Sequence, residues 1–346
     1  MCIVYQIYKY KLISTIKNIA LENKIFTTTA HSFTNVALEV FQFQYKHCKV
    51  YQQYCNQLHI DVHTVDTITK IPFLPISFFK THSIATATNE ASITFESSGT
   101  TGSINSKHIV SDIAVYQQSF ISCFNQFYGP ANNWCFIGLL PSYIERNNSS
   151  LVYMVNDLIA KSNHPSSGFY LHDTATLATT LQQLELQKTN TLLIGVTFAL
   201  LDFAEQYPQH LQHTIIMETG GMKGRRAEMT RQQVHQYLTE AFNVKNIHSE
   251  YGMTELLSQS YSFGNGIFNS PSWKKILIRT EDDPFCIYDT QTKKISGAAN
   301  IIDLANVYSC SFIATDDAAS LHPNGSFEII GRLDNASIRG CSLLTI

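Results

Sequence analysis

The strongest constraint on the fold is a regular alternation of predicted strands and helices in the middle of the sequence. Short apolar runs that are typical of buried strands are WCFIGLL, GFYLH, NTLLIGV, HTIIMET and VKNIHSEYG. Longer runs with the spacing of one helical face lie between them, namely SSLVYMVNDLIAK, TATLATTLQQLELQK, TFALLDFAEQY and residues 225–242. This rhythm predicts a mostly parallel sheet with helices on its faces.

The pattern changes beyond residue 270. Predicted strands joined by turns follow one another there, namely WKKILIRT, FCIYD, KKISGAANIIDLA, SCSFIATDD and GSFEIIGRLD. They predict a smaller antiparallel β region of the same domain. The predicted organisation is an N-terminal extension (1–30), an α/β core (31–270), the antiparallel region (271–334) and a C-terminal tail (335–346).

The segment before the alternating part predicts helices and one extended stretch. Residues 31–58 have a helical pattern, and two prolines three positions apart make residues 71–80 largely extended. A further helix is predicted to begin near Ser111 or Asp112, because apolar residues follow at helical spacing. It ends at Gly129-Pro130.

The composition excludes several classes of function. A hydrophobic fraction of 44% with 15% charged residues is globular, and a formal charge of −3 does not favour nucleic-acid binding. No apolar run is long enough to span a membrane, and residues 1–25 lack the features of a secretory signal. Eight scattered cysteines without a Cys-x-x-Cys pair predict reduced thiols rather than disulfides or a zinc site. We therefore expect a cytoplasmic protein.

Three polar clusters follow predicted strands. Residues 97–102 follow SITFE, residues 219–226 follow TIIME, and residues 250–255 follow NIHS. In open α/β sheets, ligands bind outside the carboxyl ends of the strands. The fold is therefore expected to bring these clusters to one edge of the sheet.

The first cluster has the composition of a phosphate-binding loop. Backbone N–H groups and hydroxyls of a Ser/Thr/Gly loop donate hydrogen bonds to phosphates, and glycine permits close approach. It is not a Walker A loop, because Gly-Lys-Ser/Thr is missing. A plain surface turn is the alternative interpretation.

The order of four motifs resembles the adenylate-forming superfamily. The first is Ser97, Ser98, Gly99, Thr100, Thr101 and Gly102, followed by Lys107. The others are Tyr251-Gly252-Met253-Thr254-Glu255, an aspartate after a strand that Asp316 could match, and Gly331-Arg332-Leu333-Asp334. The resemblance implies an α/β fold with mostly parallel sheets and a smaller antiparallel region. Because only 12 residues follow Asp334, the C-terminal lid domain of the superfamily is expected to be absent or vestigial.

Longer segments resemble the LuxE-like acyl-protein synthetases within that superfamily. These segments are FQFQYKHCKVYQQYC, IPFLPISFFKT, LPSYIERNNSSLVYMV, ETGGMKGRR and EYGMTELLSQSYS. The resemblance starts near residue 37, and the first 30 residues match nothing in the family. It implies that the enzyme activates a fatty acid with ATP, places the acyl group on its own cysteine and passes it to a reductase or carrier protein.

The resemblance also implies roles for individual residues. The nucleotide would contact the loop at 97–102, Lys107, Gly220, Gly221, Tyr251, Gly252, Thr254, Asp316 and Arg332. Tyr251 would border the adenine or, alternatively, pack in the core. Asp316 would bind the ribose hydroxyls, and Glu255 would bind Mg²⁺ together with the phosphates. Tyr143, Glu145 and Arg146 are candidates for the acyl pocket, although helix capping by Ser149 is the simpler interpretation of that segment.

One departure from the superfamily concerns its catalytic lysine, which lies beyond Gly-Arg-x-Asp. This sequence has 12 residues after Asp334. Another cation is therefore expected to stabilise charge on the α-phosphate, with Lys223 and Arg225 as the candidates, together with Arg226.

The thiol acceptor implied by the resemblance is Cys341. A thiolate attacking a mixed anhydride is sound chemistry, and Arg339 could lower its pKa. An inert buried thiol is the alternative. Two further functions remain open from the sequence: an AMP-forming acyl- or aryl-CoA ligase, and a nucleotide- or acyl-binding pseudoenzyme. The acyl chain, the downstream acceptor and the oligomeric state are not determined.

Overall fold

The computed structural model describes residues 17–86, 91–98, 104–141, 146–220, 229–288 and 292–333. Its α-helices are α1 (Ile19–Phe26), α2 (Phe33–His47), α3 (Lys49–Gln57), α4 (Phe78–Thr81), α5 (Ile113–Tyr128), α6 (Ser150–Ser162), α7 (Thr174–Leu186), α8 (Thr197–Gln206) and α9 (Arg231–Phe242). Its strands are β1 (Leu74–Pro75), β2 (Ile93–Glu96), β3 (Lys107–Val110), β4 (Cys135–Leu139), β5 (Gly168–Phe169), β6 (Thr191–Gly195), β7 (Thr214–Glu218), β8 (His248–Tyr251), β9 (Ser260–Ser262), β10 (Phe268–Asn269), β11 (Lys274–Arg279), β12 (Ile295–Asp303), β13 (Phe312–Leu321) and β14 (Phe327–Arg332).

Twelve strands of the described chain form one mixed sheet. The order is β11-β12-β13-β14-β10-β9-β8-β7-β6-β4-β5, and β1 pairs with β13. Neighbours among β4 to β8 are parallel, and neighbours in the order from β8 to β11 are antiparallel, whereas β1 pairs parallel with β13. The predicted parallel sheet with an antiparallel region is therefore confirmed. The two parts are continuous because β9 and β10, which the sequence analysis did not predict, join them.

The parallel strands have the composition that burial on both faces requires. Every residue of β4 and β6 is buried, which explains why these strands appear in the sequence as unbroken apolar runs. The predicted strand GFYLH is ordered as a strand only at Gly168–Phe169. The described part of the predicted helix 225–242 begins at Arg231, after a capping box made by Thr230 and Gln233.

The N-terminal segments belong to the same structure. The N–H of Asn18 donates to the Tyr308 hydroxyl, and Phe26 packs edge-on against Trp273 at 5.2 Å between ring centroids. The described part of the predicted extension thus packs against the core. The predicted helical segment 31–58 is divided at Cys48, whose backbone is extended.

Two other predictions from the N-terminal half differ in outcome. Helix α5 has the predicted ends, since the Asp112 side chain accepts from the Ala114 N–H and Gly129 ends the helix at φ +78°. Residues 71–80 are extended only up to Pro75, because α4 begins at Phe78. Among the described helices, none is both long and apolar enough to cross a bilayer.

Candidate active site

A cleft of about 400 Å³ lies at the carboxyl ends of the parallel strands. Residues that follow four of these strands line it, namely Leu140 and Pro141 after β4, Val196 after β6, Thr219 and Gly220 after β7, and Gly252, Met253 and Thr254 after β8. The start of α6 and the end of β2 close it from the other side. The expected gathering of polar clusters at one sheet edge is therefore seen for the described parts of all three.

The predicted phosphate loop lies at the end of a separate hairpin. Strands β2 and β3 pair antiparallel with Glu96 opposite Lys107, whereas the sequence analysis treated the preceding strand as part of the main sheet. The Ser97 N–H donates to the Ser106 carbonyl at 3.0 Å, and the Ser106 N–H donates to Ser97 Oγ at 2.9 Å. Ser98 lines the cleft. Gly99, Thr100, Thr101 and Gly102 lie outside the described residues.

The base of the hairpin is fixed by charge and by a buried histidine. Lys107 Nζ lies 3.4 Å from Glu96 Oε1. Burial lowers the pKa of His108 to about 4, so the ring is neutral and carries one proton. Its Nδ1–H donates to the Thr254 carbonyl at 2.9 Å, since a carbonyl can only accept, and its Nε2 accepts from Ser309 at 2.8 Å. His108 therefore holds the hairpin against the turn after β8, a role that the sequence did not reveal.

The loop after β7 is organised by a buried carboxylate. The Gly220 N–H donates to Glu218 Oε2 at 2.7 Å, and Gly220 has a φ of +75° that favours glycine. Burial alone raises the pKa of Glu218, but hydrogen bonds from His235 and Gly220 outweigh it and hold the pKa below its ordinary value. Glu218 was not predicted from the sequence. Gly221, Lys223, Arg225 and Arg226 lie outside the described residues.

Tyr251 joins β8 to the edge of the antiparallel part. Its hydroxyl donates to Asp317 Oδ2 at 2.7 Å. Its ring packs near Phe268 and Phe327, so the predicted core packing is also present. Arg332 is 86% exposed, and its Nε lies 3.7 Å from Asp317 Oδ1.

Asp316 does not lie at Tyr251. It is exposed, whereas its neighbour Asp317 is buried and faces the tyrosine hydroxyl. Adjacent residues of a strand point to opposite faces, so a difference of one position decides which carboxylate faces Tyr251. Of these two aspartates, it is therefore Asp317 that contacts Tyr251, while the ribose-binding role predicted for Asp316 stays a prediction.

Glu255 is nearly buried, with 6% of its surface exposed. Burial raises its pKa, while Ser106, Arg332 and Lys80 oppose the rise. Ser106 belongs to the hairpin, so Glu255 faces the end of the predicted phosphate loop. No cluster of three or more metal-ligating side chains exists in the part of the chain that the structure describes. Any cation at Glu255 would therefore take most of its ligands from elsewhere.

A fully buried network lies beneath this turn. Asp303 accepts from the N–H groups of Leu257 and Ser258 at 3.0 and 2.8 Å, from Ser258 Oγ at 2.6 Å and from the Ala305 N–H at 3.2 Å. Lys274, also buried, donates to the Ser258 carbonyl at 2.9 Å. This network fixes the chain that leaves the turn at Glu255.

The base of the cleft contains a buried acid that has no hydrogen-bond donor among the described residues. Glu250 is 9% exposed and lines the cleft. Burial raises its pKa to about 7, and Lys274 opposes the rise. Gln259 lies beside it in the same lining, and its buried Oε1 has no partner. Neither residue was predicted from the sequence.

The start of α6 bears on two predictions, helix capping by Ser149 and an acyl pocket that includes Arg146. Ser149 Oγ accepts from the Val152 N–H at 3.5 Å, so Ser149 caps the helix. Arg146 lines the cleft, which is compatible with the predicted acyl pocket. Tyr143 and Glu145 lie outside the described residues.

The described cysteines are all unpaired thiols. Five are buried, and burial raises the pKa of Cys55 to about 12. Cys286 is the exposed member of the described set. Cys341, the predicted acyl acceptor, and Arg339 lie outside the described residues.

Comparisons with known proteins agree with this geometry. A family model described as acyl-protein synthetase, LuxE matches residues 9–345, so the match includes most of the segment that we predicted to be an unmatched extension. No curated protein sequence is significantly similar to the chain.

Two solved structures share the fold. A 2-hydroxyisobutyryl-CoA ligase, solved in the postadenylation state with R3-HIB-AMP, is 12% identical with a TM-score of 0.61, covering 90% of this chain and 70% of its own. ATP-bound MatB from Rhodopseudomonas palustris is 15% identical with a TM-score of 0.53, covering 71% of this chain. The match spans about half of the MatB chain, at 49%. At such identities the likeness establishes the fold alone.

Proposed function

Because the chain belongs to the acyl-protein synthetase, LuxE family, we propose that it activates a carboxylic acid with ATP and transfers the acyl group to a cysteine thiol. One observation carries this proposal. Ser98 at the start of the predicted phosphate loop and Thr254 of the turn after β8 line the same cleft, and Glu255 follows directly on that turn. In an adenylate-forming fold, this edge of the sheet suits a nucleotide triphosphate and a carboxylate.

In the first half-reaction, a carboxylate oxygen attacks the α-phosphorus of ATP. A new C–O–P linkage forms, the bond from the α-phosphorus to the oxygen bridging the β-phosphorus breaks, and pyrophosphate leaves. Residues 97–102 and Lys107 would hold the phosphates, with Gly220 and Gly221 alongside. Lys223, assisted by Arg225, would cancel the charge that develops on the α-phosphate, which is where a fixed cation accelerates the reaction most.

The nucleoside would lie against Tyr251, Gly252 and Thr254. The contact between Tyr251 and Asp317 supports Asp317, rather than Asp316, as the carboxylate that binds the ribose hydroxyls. Arg332 is exposed beside Asp317 and is free to reach a phosphate or ribose oxygen.

The donor set fits Mg²⁺ shared with the substrate. Mg²⁺ commonly binds one or two carboxylates, several waters and phosphate oxygens, so the single carboxylate of Glu255 beside the loop is sufficient. When bound, the ion would neutralise phosphate charge. The protein's own part is to keep Glu255 oriented, through the Asp303 network behind the turn and through His108.

In the second half-reaction, the thiolate of Cys341 would attack the acyl carbon. A C–S bond forms, the bond between the acyl carbon and the AMP oxygen breaks, and AMP leaves, while the thiol proton passes to solvent. The acyl group would then pass to a reductase or carrier protein. Unpaired cysteines and the use of ATP support a cytoplasmic location. The lining of the cleft combines apolar side chains, such as Leu151 and Phe198, with polar ones, such as Glu250 and Gln259.

The proposal is tested by isotope exchange between pyrophosphate and ATP across a panel of carboxylic acids. Thr100→Ala and Glu255→Gln should each lower the exchange rate by about 100-fold, because both are expected to act on phosphate charge. Glu240→Gln, an exposed change on α9, is the matched control. Normal exchange in both site variants would remove the nucleotide assignment, and no exchange with any acid would favour a binding protein.

The acceptor is tested by labelling with a radioactive acid that supports exchange. Cys341→Ser should keep the exchange reaction but lose hydroxylamine-sensitive label, because only the second half-reaction needs a thiol. Cys286→Ser is the control, since Cys286 is the exposed cysteine among those described. Label that is lost in Cys286→Ser instead would move the acceptor there. Rapid formation of a CoA thioester without protein label would favour a CoA ligase.

A further inference from the structure

Glu250 is a buried acid that the proposed chemistry does not use. It is 9% exposed, it lines the cleft, and no described residue donates a hydrogen bond to it or forms an ion pair with it. A buried carboxyl without donors is unusual, because removal from water without a replacement partner is costly. Since no described residue supplies a donor to this carboxyl group, a ligand in the cleft can take that place.

The backbone beside Glu250 makes room for its carboxyl group. A Cβ atom at Gly252 would lie 2.4 Å from Glu250 Oε1, so any other residue at 252 would displace the carboxyl from its position. Gly252 belongs to the turn that lines the cleft. Gly252 therefore leaves room for the Glu250 carboxyl group in addition to forming part of the turn.

Gln259 supplies a second unpaired acceptor at the same place. It is 5% exposed, and its Oε1 has no hydrogen-bond partner. Its Nε2 lies 3.8 Å from the position that a Cβ of Gly252 would take, so its side-chain amide borders the same space as the Glu250 carboxyl. The nearby Tyr116 hydroxyl donates to the Ser150 carbonyl at 2.9 Å and accepts from the Gln259 amide N–H, so it donates to neither unpaired acceptor.

An unsubstituted alkyl chain in this part of the cleft would exclude water from both acceptors without replacing the lost hydrogen bonds. Resting on the proposed function, we propose that the acid activated here carries a hydrogen-bond donor, a hydroxyl or an amino group, that binds Glu250 and Gln259. The substrate class is thus a polar hydroxy or amino carboxylic acid rather than a plain fatty acid.

Both kinds of donor can satisfy the two acceptors. An ammonium group donates to the Glu250 carboxylate and to Gln259 Oε1 at once and gains an opposite charge. A hydroxyl group donates to one acceptor, and when Glu250 is protonated it can accept from Glu250 while donating to Gln259. The burial that raises the pKa of Glu250 to about 7 keeps both of its forms accessible near neutrality.

The test is pyrophosphate exchange with the full chain and matched pairs of acids. Butanoate, hexanoate, octanoate and tetradecanoate are each compared with their hydroxy and amino derivatives, substituted at successive positions. The best substituted acid should exceed its unsubstituted partner in kcat/KM by at least about 10-fold, because a site built for a donor rejects the analogue that lacks it. The hydroxy and amino arms identify which donor binds.

Variants show whether Glu250 and Gln259 cause the preference. Gln259→Leu and Glu250→Leu should each reduce the preference by about 10-fold, mainly by improving kcat/KM for the unsubstituted acid. Glu250→Gln keeps the shape and a polar group and should retain a preference for the hydroxy acid but lose that for the amino acid. Glu240→Gln again controls for loss of a carboxylate elsewhere.

The outcomes separate the two proposals. If an unsubstituted acid is the best substrate of the unmodified protein, the inference is overturned while the proposed function stands. If a substituted acid is preferred and the preference survives in both leucine variants, these two residues are not its cause and the inference is also overturned. If ATP neither binds in calorimetry nor exchanges with any acid, the proposed function fails, and the inference fails with it.

Discussion

Asp303 and Glu250 are both buried carboxyl groups near the charge of Lys274, yet their surroundings are opposite. Asp303 accepts four hydrogen bonds, three from backbone N–H groups and one from a hydroxyl. Glu250 accepts none from the described residues, and burial raises its pKa to about 7. A carboxylate with all its donors belongs to the fold, whereas Glu250, without donors among the described residues of the cleft, is the group for which we propose a ligand.

Asp303 and Glu250 differ in hydrogen bonding because they lie on different sides of the turn at the cleft. The donors to Asp303 come from Leu257 and Ser258, directly after Glu255, so its bonds keep the turn at the cleft rigid. Glu250 lies on the strand before that turn and points into the cleft. Rigid support beneath the site and an unsatisfied group inside it are complementary features of a binding site.

The largest expected effect is on stability, at the satisfied carboxylate. Asp303→Asn should lower the free energy of unfolding by about 3–5 kcal/mol, because an amide NH₂ faces the donors and buried Lys274 loses the negative charge of Asp303. Urea unfolding followed by circular dichroism measures this change. Asp66→Asn, an exposed change in a pair with Lys70, should leave the midpoint almost unaltered. Equal midpoints for both variants would contradict the role of Asp303.

Replacing the Glu250 carboxylate should instead raise the free energy of unfolding, by an amount that depends on pH. The pKa of Glu250 is raised from 4.5 to about 7 in the folded protein, so the folded state binds more protons than the unfolded state between these values. Its contribution to the free energy of unfolding therefore falls as pH rises through this window. Glu250→Gln removes the effect. The change in the free energy of unfolding that Glu250→Gln causes should be more favourable by roughly 3 kcal/mol above pH 7 than below pH 4.5.

Urea unfolding of both proteins at a series of pH values measures the difference directly. Comparison with the unmodified chain cancels contributions from other groups, such as His108, whose lowered pKa acts in the opposite sense. Curves that stay parallel across the window would show that Glu250 titrates like an exposed acid. The contrast with Asp303 would then disappear.

The smallest effect concerns Asp317, which has one hydroxyl donor. Tyr251→Phe should lower stability by about 1 kcal/mol, the usual contribution of one hydrogen bond, and should also weaken ATP binding measured by calorimetry. Tyr45→Phe removes a comparable bond to Asn56 between α2 and α3 and should leave ATP binding unchanged. If both variants bind ATP like the unmodified protein, the Tyr251–Asp317 contact is only structural.

Local pattern predicted much of the fold. The buried strands and α5 follow from periodicity and from residues such as Asp112 and Gly129, whose effects extend over only a few neighbours. The short strands β9 and β10 were not predicted, since two or three residues carry too little periodicity to be recognised. The segment of β2 was predicted as a strand, but its separate pairing with β3 was not, because strand pairing depends on tertiary contacts. The break at Cys48 was missed because a single extended residue hardly changes the helical pattern around it.

The sequence by itself determined the order of the motifs, the strand and helix alternation and the class of the fold. Only the tertiary structure decided which carboxyl groups have partners. The sequence does not distinguish Asp316 from Asp317, but side chains alternate along a strand, so of the two Asp317 contacts Tyr251. Glu250 and Asp303 likewise differ through donors that lie far away in sequence. Solvation and hydrogen bonding depend on three-dimensional neighbours, and a one-residue change of register exchanges buried for exposed.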